Sequence, residues 1–161
     1  MSLATAPTWV HPDVTALAIA DTMGRVGQLR ATTGHPRYGA MVEAMSWAMG
    51  WSPAAPMSGV RWPAKAGSVR VESDAGLLVA HYHHAPTVGQ WDWLGHPMVP
   101  VHAPGDTAEW GYGVWRVLGW LLGDVVAAPP TDDVTRWPSA LPGAEQTEVA
   151  AAARTRWGNS R

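Results

Sequence analysis

A chain of 161 residues with 47% apolar composition is long enough to bury one domain core and too apolar to be disordered. Its 13 acidic and 11 basic residues leave a net charge of −2, which gives no electrostatic case for nucleic acid. The absence of cysteine excludes disulfides, thiolate catalysis and zinc–thiolate sites.

The start, Met1-Ser-Leu-Ala-Thr-Ala-Pro7, lacks the basic stretch and apolar run of a secretory signal, so the expected location is the cytoplasm. Residues 1–11 read as an irregular arm pinned by Trp9 and Val10. A first helix is expected from Pro12 to Thr32, because Ile19, Met23 and Val26 recur at helical spacing with Val14, Ala18 and Leu29 beside them. On its other side Ala16, Ala20, Gly24, Gly27 and Ala31 form a line of minimal side chains. Either a second helix packs closely on that line, or the helix breaks near Gly24–Gly27.

Thr33-Gly-His35-Pro36 turns the chain into a second helix, Pro36 to Met49, with Tyr38, Met41, Val42, Met45 and Met49 on its core stripe. Methionines can line an adaptable groove, but at helical spacing they read as core. Gly50 ends the helix. Residues 51–67 are rich in Pro, Ala, Ser and Gly and read as a long loop held down by Trp51 and Trp62.

The next segment, residues 68–84, reads as a β-hairpin. Val-Arg-Val-Glu alternates, Asp74-Ala-Gly76 supplies a turn, and Leu-Leu-Val-Ala-His-Tyr-His follows. That pairing puts Val69, Val71, Leu77, Val79, His81 and His83 on one face. Met98–His102 adds a third strand, which Pro97 and Pro100 place at an edge.

The most apolar stretch runs from Asp106 to Gly123 and reads as a central helix. Asp106 or Thr107 is the expected N-cap, with Glu109 placed as in a capping box when Asp106 serves, and Gly123 the stop. Trp110, Val114, Val117, Leu118 and Leu121 make its core stripe. Trp110, Trp115 and Trp120 are each rotated by roughly 140° from the last, so they point to three sides. Such a helix runs through the middle of the domain or is covered on one side by another chain. Arg116 in mid-segment and Asp124 after it exclude a membrane span.

Beyond it, Ala127-Ala-Pro-Pro130 breaks the pattern, and a final helix from Ala144 to Arg156 has early glutamates and late arginines, as the helix dipole favours. Its apolar face, Val149, Ala152, Ala153 and Trp157, is thin. The segments Met45–Pro56 and Leu118–Pro129 also resemble each other, each with Trp-x-x-Gly and then Ala-Ala-Pro, as a faint duplication or a coincidence of composition. The expected architecture is a single α+β fold: residues 1–130 form a globular domain with two N-terminal helices, a small antiparallel sheet and the tryptophan-rich helix. Residues 131–161 form an arm with a short helix.

For chemistry, His81-x-His83 on one strand face is a metal-ligand geometry, with His102, His96, His84, Asp92 or Asp106 as a third ligand to a divalent transition metal. The pair is similar to the His-x-His of cupin barrels, but the other cupin motifs are missing. No Gly-x-Ser-x-Gly elbow or phosphate-binding Gly-Lys-Ser/Thr loop occurs. The run Tyr38–Gly59, with Trp47-Ala-Met-Gly50, Ser52-Pro53 and Ser58-Gly59, resembles a pattern in small actinobacterial proteins, many from plasmids and phages. That resemblance covers a small part of the chain and implies no activity.

Charge-poor, tryptophan-rich composition favours a non-enzymatic protein–protein interaction or assembly protein, encoded by a phage or mobile element. It is expected to self-associate as a homo-oligomer through Trp110, Trp115, Trp120 and Trp157. The rival is a small metal-binding protein or metalloenzyme using His81, His83 and His102. A single-stranded nucleic-acid binder using tryptophan faces is a third expectation.

Overall fold

The computed structural model describes residues 5–82, 107–131 and 141–158. Five helices lie among them: α1 (Ala16–Thr33), α2 (Pro36–Ala48), α3 (Ala66–Tyr82), α4 (Thr107–Leu122) and α5 (Gly143–Trp157). The helix α4 is central. It packs along α3 on one side and α2 on another, while α1 covers α2 and α5 lies against α3.

Local chemistry sets most helix ends. Thr15 caps α1 by accepting the Ala18 N–H at 3.1 Å, and Gly34 stops it at φ 66°. The imidazole of His35 caps α2 by accepting the Arg37 N–H at 3.1 Å, with Pro36 at the first helical position. The similarity between Met45–Pro56 and Leu118–Pro129 has a structural meaning. Trp51 N–H donates to the Ser46 carbonyl and Gly50 N–H to Trp47, while Asp124 N–H donates to Gly119 and Gly123 N–H to Trp120. Both segments are Schellman helix stops, with Gly50 at φ 79° and Gly123 at φ 87°.

The expected α+β fold is overturned: the hairpin over residues 68–84 is the helix α3, and no strand occurs among the described residues. The segment Asp74-Ala-Gly76 is not a turn. It is the most enclosed part of α3, where every residue from Val71 to Ala80 is buried. When all sides of a segment are covered, polar and apolar residues no longer sort by face, and apparent alternation loses its meaning. Gly76 is present because α3 crosses α4 there. A Cβ on Gly76 would lie 2.9 Å from the Gly111 carbonyl oxygen, and a Cβ on Gly111 2.7 Å from that of Gly76. Likewise, a Cβ on Gly113 would lie 2.5 Å from the Arg37 carbonyl oxygen, where α2 crosses α4. The expected edge strand Met98–His102 lies outside the described residues.

Two apolar clusters flank the α3–α4 pair. The larger joins Ile19 and Val26 of α1, Tyr38, Met41, Met45 and Trp47 of α2, and Val114, Val117, Leu118, Trp120 and Leu121 of α4. The methionines of α2 are therefore core. The smaller cluster joins Leu77, Ala80, Ala108, Tyr112, Trp115, Leu141 and Val149 beneath α5. Two of the three α4 indoles are covered within this one chain, Trp115 at 3% and Trp120 at 4% exposure, while Trp110 is half-buried. On α1 the helix is unbroken, so the break at Gly24–Gly27 does not occur, and among the described residues nothing lies within 4 Å of a Cβ placed at either glycine.

Candidate functional site

A groove of about 480 Å³ opens where the N-terminal arm, the end of α2 and the following loop meet. Trp47, 1% exposed, lies at its base. Pro7 and half-buried Trp9 come from the arm, and half-buried Trp62 with Arg61 and Pro63 from the loop. Ala48, Met49, Gly50, Ser52 and Pro53 complete the lining. The Trp47-x-x-Gly50…Ser52-Pro53 pattern of the sequence therefore runs along the groove.

Each wall is held from behind. Burial pushes the Glu72 carboxyl of α3, fully buried, above its ordinary range, and hydrogen bonds from Ser58 and Met57 only partly offset that. It accepts the Met57 N–H at 2.8 Å, the Ser58 N–H at 3.0 Å and the Ser58 hydroxyl at 2.6 Å. One side chain thus satisfies three donors of a loop with no regular structure. The Trp110 indole of α4 donates to the Pro56 carbonyl at 3.0 Å, and the Trp47 indole to the Trp62 carbonyl at 2.9 Å. The arm is tied by the His11 N–H, which donates to the Leu121 carbonyl at 2.8 Å. A Cβ at Gly123 would collide with the His11 ring, so the arm seats only on a glycine there.

With the Trp47 N–H already engaged, the groove offers ring faces and proline edges more than hydrogen bonds. Arg61 supplies a cation, and Ser52 is the other polar side chain in the lining. Among the described residues no histidine or carboxylate lines it.

The expected interface tryptophans lie elsewhere. Trp110 is half-buried on Pro56, Trp115 and Trp120 are buried, and Trp157 packs partly buried on the smaller cluster. The expected metal ligands are not assembled by a strand. His81 sits in the last turn of α3, its ring 4.6 Å from that of Tyr82, while His83 and His102 lie outside the described residues. Alternation along a strand, which would have aimed His81 and His83 together, is absent from α3. Among the described residues no group of three His, Asp or Glu side chains is disposed to hold a metal ion. No helix among them is long and apolar enough to cross a membrane.

A second polar assembly was not legible in the sequence. Arg37 of α2, 4% exposed, donates to Glu109 of α4 at 2.7 and 3.1 Å and to Glu145 of α5 at 2.7 and 2.5 Å. Burial alone would lower its pKa, but the two carboxylates more than reverse this and raise it. Its guanidinium also stands 4.7 Å from the centre of the Tyr112 ring. Glu109 is engaged by this ion pair, and its expected cap partner, Asp106, lies outside the described residues. Comparison with protein-family models, curated proteins and solved structures finds no match.

Proposed function

We propose that this chain is a non-enzymatic protein-interaction module whose groove at Trp9, Trp47 and Trp62 holds an extended, proline-containing segment of a partner protein. The supporting observation is the groove itself: the half-buried indoles of Trp9 and Trp62 and three prolines around an open channel, with buried Trp47 supporting them and the loop and arm fixed by Glu72 and the Gly123–His11 contact. Aromatic-lined grooves suit polyproline II segments, which enter preformed and lose little entropy on binding. Arg61 at the lining favours an acidic residue beside the prolines.

The test is titration of isotope-labelled protein with a decaproline peptide and the same peptide flanked by aspartate. A subset of indole N–H resonances shifts saturably, with tighter binding of the acidic peptide. Trp9→Ala and Trp62→Ala each weaken binding at least tenfold, while Trp157→Ala leaves it unchanged. No resonance shift at millimolar peptide would rule the reading out.

A further inference from the structure

The helix α5 is joined to the rest of the molecule in an unusual way. Only Val149 and Ala153 of its residues are buried. Beside the small apolar cluster at Val149, its contacts are polar: Glu145 pairs with Arg37, Glu148 with Arg116 while accepting the Tyr112 hydroxyl, and Arg156 with Asp74. Gaps of about 290 and 190 Å³ remain in its seam with α3, one bounded by Asp74, Leu77 and Arg156, the other by Ala80, His81 and Ala150.

The surface beneath α5 is the reverse. Leu77, Ala80, Tyr112 and Trp115 make an apolar floor, and Arg37 and Arg116, each about 5% exposed, aim guanidinium groups at the covering helix. Asp74, 2% exposed, accepts from Arg156 at the far end and also faces Arg70 of its own helix at 3.8 Å. A floor with this charge order accepts a helix with two early glutamates one turn apart and a late arginine. A second copy of α5 meets every term of that description. Residues 123–142, with Pro129, Pro130, Pro138 and Pro142, separate the helix from α4.

We propose that α5 exchanges between two copies of this chain, each copy's helix seating on the partner's α3–α4 floor. The ion pairs and apolar contacts of α5 are the same in the closed monomer and the exchanged dimer, so concentration decides between the two forms. This surface is distinct from the tryptophan groove, and neither reading depends on the other.

The chain has no cysteine, which allows a clean trap. The full-length double variant His81→Cys with Ala150→Cys places a thiol on each side of the smaller gap. Light scattering on the reduced variant and the natural chain, from micromolar to millimolar protein, is expected to show a dimer fraction rising with concentration. Oxidised while dilute, the variant closes its disulfide within one chain and stays monomeric at every concentration. Oxidised while concentrated, it yields dimers joined by two disulfides between chains. A monomer throughout for the reduced forms overturns the proposal, as does a dimer that survives closure within the chain. Failure of the dilute variant to form any disulfide overturns it too, since the α3–α5 seam would then be wrong.

Discussion

The two sides of α3 are held by opposite means. Against α4 the helix is joined backbone to backbone through Gly76 and Gly111, with no room for one additional carbon. Against α5 it is joined by side chains alone, through the Arg156–Asp74 pair and a small apolar cluster with Val149, and gaps remain along the seam. Close contact without side chains gains dispersion along the whole crossing but tolerates no change of volume. Contact through charges tolerates volume and depends on every partner being present. The first leaves no slack at the centre, and the second leaves a looser seam.

Substitutions sharpen this contrast, and the largest effect is expected at the ionic site. Arg37→Ala strands Glu109, 1% exposed, without its cation and should cost about 3–5 kcal/mol in chemical denaturation. Replacing both, Arg37→Met with Glu109→Leu, should recover most of that loss, because two apolar groups avoid the desolvation of the charges. If the double variant is as unstable as the single one, the buried charge is not the cause.

Next comes Gly111→Ala, where the new Cβ meets backbone on α3 at 2.7 and 3.0 Å. Separating the helices should cost about 3 kcal/mol, the upper end for overpacking. The same substitution at Gly24, open on α1, should instead stabilise by about 0.5–1 kcal/mol through helix propensity alone. Opposite signs in thermal unfolding are the expected result, and equal signs would refute the close crossing.

The Glu72 carboxyl gives a pH signature. Its folded pKa is raised above the ordinary 4.5, so the unfolded chain ionises first. Its contribution is full below 4.5 and is lost as pH rises through the higher folded value. Glu72→Gln should flatten that part of the stability–pH curve, measured by urea unfolding from pH 4 upward. An unchanged slope would show that another group titrates there. The smallest effect is expected from Asp124→Asn, which removes the partly exposed pair with Arg70. A change within about 1 kcal/mol, shrinking in high salt, is expected.

Much of the fold was legible where a residue acts on its own turn. The end of α2 at Gly50, the end of α4 at Gly123 and the core stripe of α2 are all readable, because caps and helical periodicity work within a few positions. The strand reading of residues 68–84 failed for a reason of the same kind. A glycine between valines and leucines signals a turn locally, and only the presence of Gly111 opposite Gly76 makes it a helix crossing. The groove was half legible: the Trp47–Pro53 pattern and the anchoring of the arm by Trp9 stand in the sequence. That Glu72 reaches back to hold the loop does not.

What the amino-acid sequence determined alone is therefore where four of the five helices lie and which of their faces are apolar, since those properties depend on neighbours a few residues away. Only the tertiary structure decided that α3 is a helix, that Arg37 pairs with carboxylates 72 and 108 positions distant, and that Trp9, Trp47 and Trp62 share one groove. A buried charge and a crossing glycine gain their meaning from the atom opposite, and chain order carries no record of which atom that is.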